Sequence, residues 1–209
     1  MKSRVVYLLL TLLLTGWMVG ASAQNYQEGK DYLKLGQPVP TTTGDKVEVV
    51  EVFWYGCPHC YALEPEIEKW LENKPEAAEF VRIPGVLNPR WELDARVFYA
   101  LKALEKENEL HRTYMDAIHE QGRQMGSPER IADFMAEQGV DRQKFLNAMK
   151  SFTTETQLRQ SQQKTRLYRL RGVPALVVNG KYVVSGSTAG TAERMFDIID
   201  YLVEQEKQG

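Results

Sequence analysis

Cysteine is scarce: the 209-residue chain has two, Cys57 and Cys60, with only Pro58 and His59 between them. A disulfide-stapled scaffold needs several bridges, so core packing must hold this fold together. Excess charge of either sign is also missing, with 26 Lys+Arg against 28 Asp+Glu and a net charge of −2. That balance leaves no electrostatic footprint for nucleic acid or anionic lipid. No internal repeat recurs at a fixed period, and no low-complexity segment interrupts the chain. A zinc set is missing too, because there is no second CxxC, and His111 and His119 are eight apart, outside the usual His-x₃₋₅-His spacing. Those two histidines read as solvated or core residues. What remains, 43% apolar and 26% charged, suits one globular unit with room for an inserted subdomain.

The first 23 residues stand apart. Lys2 and Arg4 precede an apolar run from Val5 to Leu14, and Ala21-Ser22-Ala23 closes the segment with a small-x-small cleavage pattern. This reads as a secretory signal peptide over residues 1–23, cleaved after Ala23. The run falls short of the roughly 20 residues that span a bilayer, and Thr11, Thr15 and Gly16 dilute it. No cysteine follows the cleavage point, so a lipoprotein is not expected. Losing Lys2 and Arg4 leaves 24 basic against 28 acidic residues, net −4. An exported bacterial protein meets an oxidising compartment, where two cysteines this close are redox-active or bonded to each other.

Residues 47–55 are β-branched and aromatic with almost no alternation, the pattern of a strand buried on both faces. From Pro58 the period changes: Cys60, Leu63, Ile67, Trp70 and Leu71 form an apolar helical stripe, with Glu64, Glu66, Glu68 and Glu72 placed mostly on the opposite side. A short strand near Phe80–Ile83 follows, best paired parallel to the first. Between residues 88 and 171 only helical periodicity recurs, punctuated by Asn88-Pro89, Ser127-Pro128, Gly139 and Asp141, and it ends in a polar, Gln-rich helix from Thr154 to Leu170. Then β returns: Ala175–Val178 and Lys181–Val184 flank Asn179-Gly180, a type I′ hairpin signal, before a final amphipathic helix. The order is that of a split α/β unit, residues 24–87 and 172–209, around an all-helical insert at 88–171.

Cys57 and Cys60 sit three residues apart at a helix start, close enough for one intramolecular disulfide. Unpaired N–H groups and the positive end of the helix dipole favour a thiolate at Cys57, whereas Cys60 lies on the apolar stripe. Cys57 is therefore the nucleophile and Cys60 the resolving thiol. Pro58 stands where a helix loses nothing by lacking an N–H, and His59 adds stabilisation to the anion. With a Cys57 pKa of about 4 the reduced form would gain about three units at pH 7, roughly 4 kcal/mol, and the potential would rise by roughly 90 mV. Glu51 shares a strand face with Val49, Phe53 and Tyr55, so its carboxyl is expected to titrate high and to relay protons.

The strand Glu51-Val52-Phe53-Trp54-Tyr55 running into Cys57-Pro58-His59-Cys60-Tyr61, the helical insert, and the later Gly172-Val173-Pro174-Ala175 together resemble the DsbA family of thiol:disulfide oxidoreductases. The resemblance covers nearly all of the mature chain. It implies a thioredoxin-like fold with an inserted helical domain, donation of the Cys57–Cys60 disulfide to unfolded or newly exported cysteine-containing proteins in the periplasm, and reoxidation by a DsbB-type membrane quinone reductase. Val173-Pro174 matches the family's cis-proline loop, which receives extended substrate, and Glu51 matches an acidic residue beneath the buried cysteine. Two departures stand out: Trp54-Tyr55-Gly56 replaces a more phenylalanine-rich lead-in, and no lysine near residue 79 pairs with Glu51. No cofactor, metal or nucleic acid enters this reading, and the chain is expected to act as a monomer. An isomerase or reductase of the same fold is the first rival, although fewer than 30 residues precede the first core strand after cleavage, too few for a dimerisation domain. The second is a non-enzymatic periplasmic chaperone or peptide-binding module.

Overall fold

The computed structural model describes residues 25–208, so the leader expected over residues 1–23 lies outside the described residues. The first strand, β1, is only Leu33–Lys34. Next comes β2, Val47–Phe53, with all seven residues buried because it has a packed layer on each face. Val47 and Val49 pack with Leu63, Ile67 and Trp70, whereas Val50 and Val52 pack with Ile83, Tyr168 and Val177. Helix α1, Pro58–Asn73, is the crossover that a parallel pair requires, and β3, Ala78–Pro84, lies parallel to β2 with Glu51 opposite Arg82. Strands β4, Ala175–Val178, and β5, Tyr182–Ser185, complete one mixed sheet in the order β1-β5-β4-β2-β3.

Asn179 and Gly180 both have positive φ, 49° and 62°, which is the I′ geometry of the β4–β5 hairpin. Glycine is needed there for space as well, since a Cβ at Gly180 would stand 2.0 Å from the Val39 carbonyl oxygen. Strand β1, antiparallel to β5 through Leu33 and Lys34, was not expected; two residues are too few to show a period.

Between β3 and β4 run a 3₁₀ turn, Pro89–Trp91, and five helices: α2 Glu92–Ala103, α3 Glu107–His119, α4 Pro128–Glu137, α5 Arg142–Met149 and α6 Phe152–Leu167. Their starts follow side-chain chemistry. Asn88, Ser127, Asp141 and Ser151 each accept an N–H from the first turn that follows, and Gly139, at φ 81°, ends α4. The Gln-rich α6 is less solvated than its composition suggests, because Ser161 donates to the Pro84 carbonyl oxygen, tying the helix to the end of β3, and Thr165, also buried, donates to the Ser161 carbonyl oxygen one turn back. A short α7, Gly186–Ala189, leads to α8, Ala192–Gln208, which lays Met195, Phe196, Ile198, Ile199, Leu202 and Val203 on the core.

The core of the helical segment reaches into the sheet domain. Phe53, Tyr55, Cys57 and Cys60 share one buried cluster with Phe98, Leu101, Tyr114 and Met135. Phe53 meets Tyr55 and Phe98 edge to face at 5.0 and 5.4 Å, contacts of about 0.5–1.5 kcal/mol each beyond the area they bury. The cysteine pair thus sits on the seam between the sheet and the helices.

Candidate active site

Beyond β2 the turn Trp54-Tyr55-Gly56 feeds α1. Its conformation is fixed from the side: Trp54 donates to Asp94 at 2.7 Å and stacks on Trp91 at 4.5 Å, and a Cβ on Gly56 would strike the Trp54 ring at 2.4 Å. Cys57 is the N-cap of α1, in extended conformation (φ −92°, ψ 115°), with Pro58 at N1 and no acidic residue in the first turn. The helix start is therefore free to stabilise a sulfur anion.

It does so unequally. The Cys57 thiol is lowered to about 6; the largest cause is the Cys60 S–H donating to its sulfur, and the N–H groups of Cys60 and His59 and the field of His59 add to it against burial. Cys60 is fully buried, and burial together with that same hydrogen bond pushes its thiol far above the usual range. A value of about 6 lies one unit below pH 7, about 1.4 kcal/mol. Screening by water at a sulfur beside an open groove leaves about 1 kcal/mol, or roughly 20 mV. The direction matches the sequence reading, but the size is well under the roughly 90 mV that a pKa of about 4 would give. Cys57 is also less open than a helix-end thiol suggests, at 7% exposed, with its Sγ donating to the Val173 carbonyl oxygen at 3.5 Å. The Val173–Pro174 bond is cis.

On the inner side lies a polar chain. Glu51 is fully buried, and Arg82 donates to Glu51 Oε2 at 2.7 Å and to Glu64 Oε2 at 2.8 Å. His111, from α3, lies 3.3 Å from Glu64 Oε1 and 3.1 Å from the Tyr55 hydroxyl. Burial drives His111 down to about 3, so the ring is neutral, donating Nε2–H to Glu64 and accepting from Tyr55 at Nδ1. One cation serves two carboxyls, and burial raises both despite Arg82, Glu51 to about 7. Glu51 Oε1 is buried without a hydrogen-bond partner among the described residues, and its field acts on Cys60.

The basic partner of Glu51 is an arginine and not a lysine near residue 79: Arg82 stands opposite it in parallel register, three residues further along β3. Glu64 is corrected as well, being 1% exposed and not on the solvent side of α1. It is four residues from Cys60, so the two share a helix face, a signal that helical spacing carried. His111 is buried within this chain, and His119 donates to the Tyr55 carbonyl oxygen at 2.7 Å while stacking on Tyr61. His59 is exposed and lines, with Leu63, Val173, Pro174 and residues of β1 and β5, a groove of about 1050 Å³ beside the dithiol.

Two thiols of opposite character across one helical turn, beside a cis-proline and carried on this sheet, make the chain a thiol:disulfide oxidoreductase of the thioredoxin-like class. Comparison with known proteins agrees. A family profile described as a DSBA-like thioredoxin domain matches residues 48–192. The thiol:disulfide interchange protein DsbA of Pseudomonas aeruginosa is 40% identical over 189 residues, 90% of each chain. The protein of the same name from Azotobacter vinelandii is 40% identical over 179 residues, 86% of this chain and 84% of that one. The crystal structure of Pseudomonas aeruginosa DsbA matches with a TM-score of 0.84 at 40% identity, covering 89% of this chain and 97% of that one. The chain belongs to the DSBA-like thioredoxin family.

Proposed function

We propose that the chain is a periplasmic dithiol oxidase that gives its Cys57–Cys60 disulfide to unfolded or newly exported cysteine-containing proteins. The opposite displacement of the two thiols carries this reading, because it stabilises the reduced product as a Cys57 thiolate beside a protonated Cys60. A client thiolate attacks the Cys57 sulfur; the new S–S bond forms as the Cys57–Cys60 bond breaks, and Cys60 takes the electron pair. Glu51, titrating at about 7 with one unpaired oxygen, is assigned as the relay that delivers a proton to Cys60. The client's second thiolate then attacks its own sulfur in the mixed disulfide, and Cys57 departs as the stabilised anion.

Pro58 and His59 set the poise of Cys57, and Val173 with Pro174 receives the client as an extended strand. In this reading residues 24–87 and 172–209 form the oxidoreductase domain and residues 88–171 the inserted helical one. Export rests on the leader expected over residues 1–23. No helix among the described residues is long and apolar enough to cross a membrane. A DsbB-type membrane quinone reductase would return the dithiol to the disulfide.

Mixing the oxidised chain with a reduced, unfolded client of two cysteines should form one client disulfide per chain, counted by thiol titration. Unchanged client thiols, with equal protection of a cysteine-free client from aggregation, would instead establish a binding module.

A further inference from the structure

The groove beside Pro174 has a charge that the rest of the chain lacks. Lys34, Arg169 and Arg171 line it together with His59, and neither aspartate nor glutamate does. All four residues are exposed. Of the arginines elsewhere on the surface, Arg96, Arg123, Arg142 and Arg194 hold a carboxylate, whereas Arg90, Arg130 and Arg166 stand scattered and outside this groove. Among the described residues Arg169 and Arg171 have no ion-pair partner, and Lys34 has only the Tyr182 ring, 6.0 Å away. These cations stand in a chain whose acids outnumber its bases, 28 to 26.

Their position ties them to the chemistry. Arg171 is two residues before Val173, whose carbonyl oxygen lies 3.5 Å from Cys57 Sγ. Two residues span at most about 7 Å of backbone, so the Arg171 backbone is that close to the residue touching the nucleophile. A client strand laid along Val173 would send alternate side chains toward the groove at intervals of about 6.6 Å, within reach of long arginine side chains.

We propose that this groove selects client segments bearing aspartate or glutamate beside the reacting cysteine. The inference rests on the oxidase reading and names the client class of that same site. Each exposed ion pair is weak by itself. Several cations with no internal acid to neutralise them act together, raising the encounter rate with acidic segments and repelling basic ones. The effect belongs in kcat/KM and fades with salt, since the screening length falls from about 30 Å at 0.01 M to about 3 Å at 1 M.

The test uses two synthetic peptides, each with two cysteines, that differ only in three flanking positions, all aspartate in one and all lysine in the other. Each rate is divided by that peptide's rate with a small neutral disulfide, which removes the difference in intrinsic thiol reactivity. The oxidised chain should favour the aspartate peptide roughly tenfold at about 0.01 M salt and by less than about twofold at about 0.5 M. The double variant Arg169→Gln, Arg171→Gln should lose most of that preference at low salt. Equal normalised rates for the wild-type chain at low salt would overturn this inference alone, as would a preference that survives both high salt and the double substitution. Failure to oxidise either peptide would overturn the oxidase reading with it.

Discussion

Cys57→Ser abolishes disulfide donation, whereas Cys60→Ser keeps a reactive thiol and accumulates mixed disulfides with clients. At pH 7 a thiol titrating at about 6 is roughly nine-tenths ionised. The Cys60 thiol, fully buried and pushed far upward, stays protonated and out of reach. Removing Cys57 therefore leaves no nucleophile, and exchange should fall to the uncatalysed rate. Removing Cys60 leaves an intermediate with no internal thiol to resolve it, so adducts supplied through glutathione disulfide should build up on Cys57. Peptide mapping by mass spectrometry reads the outcome. Adducts on Cys60 in the Cys57→Ser chain would reverse the assignment.

Arg82→Met has the largest expected cost in stability, about 3–5 kcal/mol, because it strips the cation that bridges two buried carboxyls. The Arg82 side chain is 14% exposed, while those of Glu51 and Glu64 are 0% and 2%. The sign with pH follows from burial. Both carboxyls already titrate above their ordinary range, and without Arg82 they rise further. A raised carboxyl binds its proton in the fold and releases it in the unfolded chain, so stability is lost as pH climbs above the ordinary carboxylate range. The cost should thus be larger at pH 8 than at pH 5 in urea unfolding, and adding Glu51→Gln should recover part of it at pH 8. A cost below about 1 kcal/mol at pH 8 would show that the pair is not buried in solution.

The elements were legible because their signals are local. Strand β2 announced itself by unbroken β-branched and aromatic residues, α1 by its stripe, and the hairpin by Asn179-Gly180, whose positive φ values bear out the turn type. The dithiol was legible for the same reason: four consecutive residues at a strand-to-helix junction state their own chemistry. The polar chain was not. Glu51, Arg82, Glu64 and His111 come from β2, β3, α1 and α3, and their meeting depends on strand register and on where the helical segment docks. Glu64 read as solvent-facing because three neighbouring glutamates on the same helix suggested an exposed acidic side. The place of Lys34 among the groove's cations needed β1, which is too short to leave a periodic trace.

A Cys57 thiolate exists only when the disulfide is open, and the stability of the two redox forms against pH measures its contribution directly. A thiol with a depressed folded pKa contributes stability above its unfolded value of about 8.5, and loses it as pH falls toward its folded value of about 6. Other titrating groups are common to both forms and largely cancel in the difference. Between pH 6 and 8 the reduced chain should therefore gain on the oxidised chain by roughly 1.5 kcal/mol, allowing for screening. Above about pH 8.5 the raised Cys60 thiol takes some of that gain back, because its unfolded counterpart ionises there and it does not. Paired urea curves of the two forms across this range give the number. A difference that stays flat from pH 6 to 8, or moves toward the oxidised form, would contradict a dithiol poised by its thiolate to give its disulfide away.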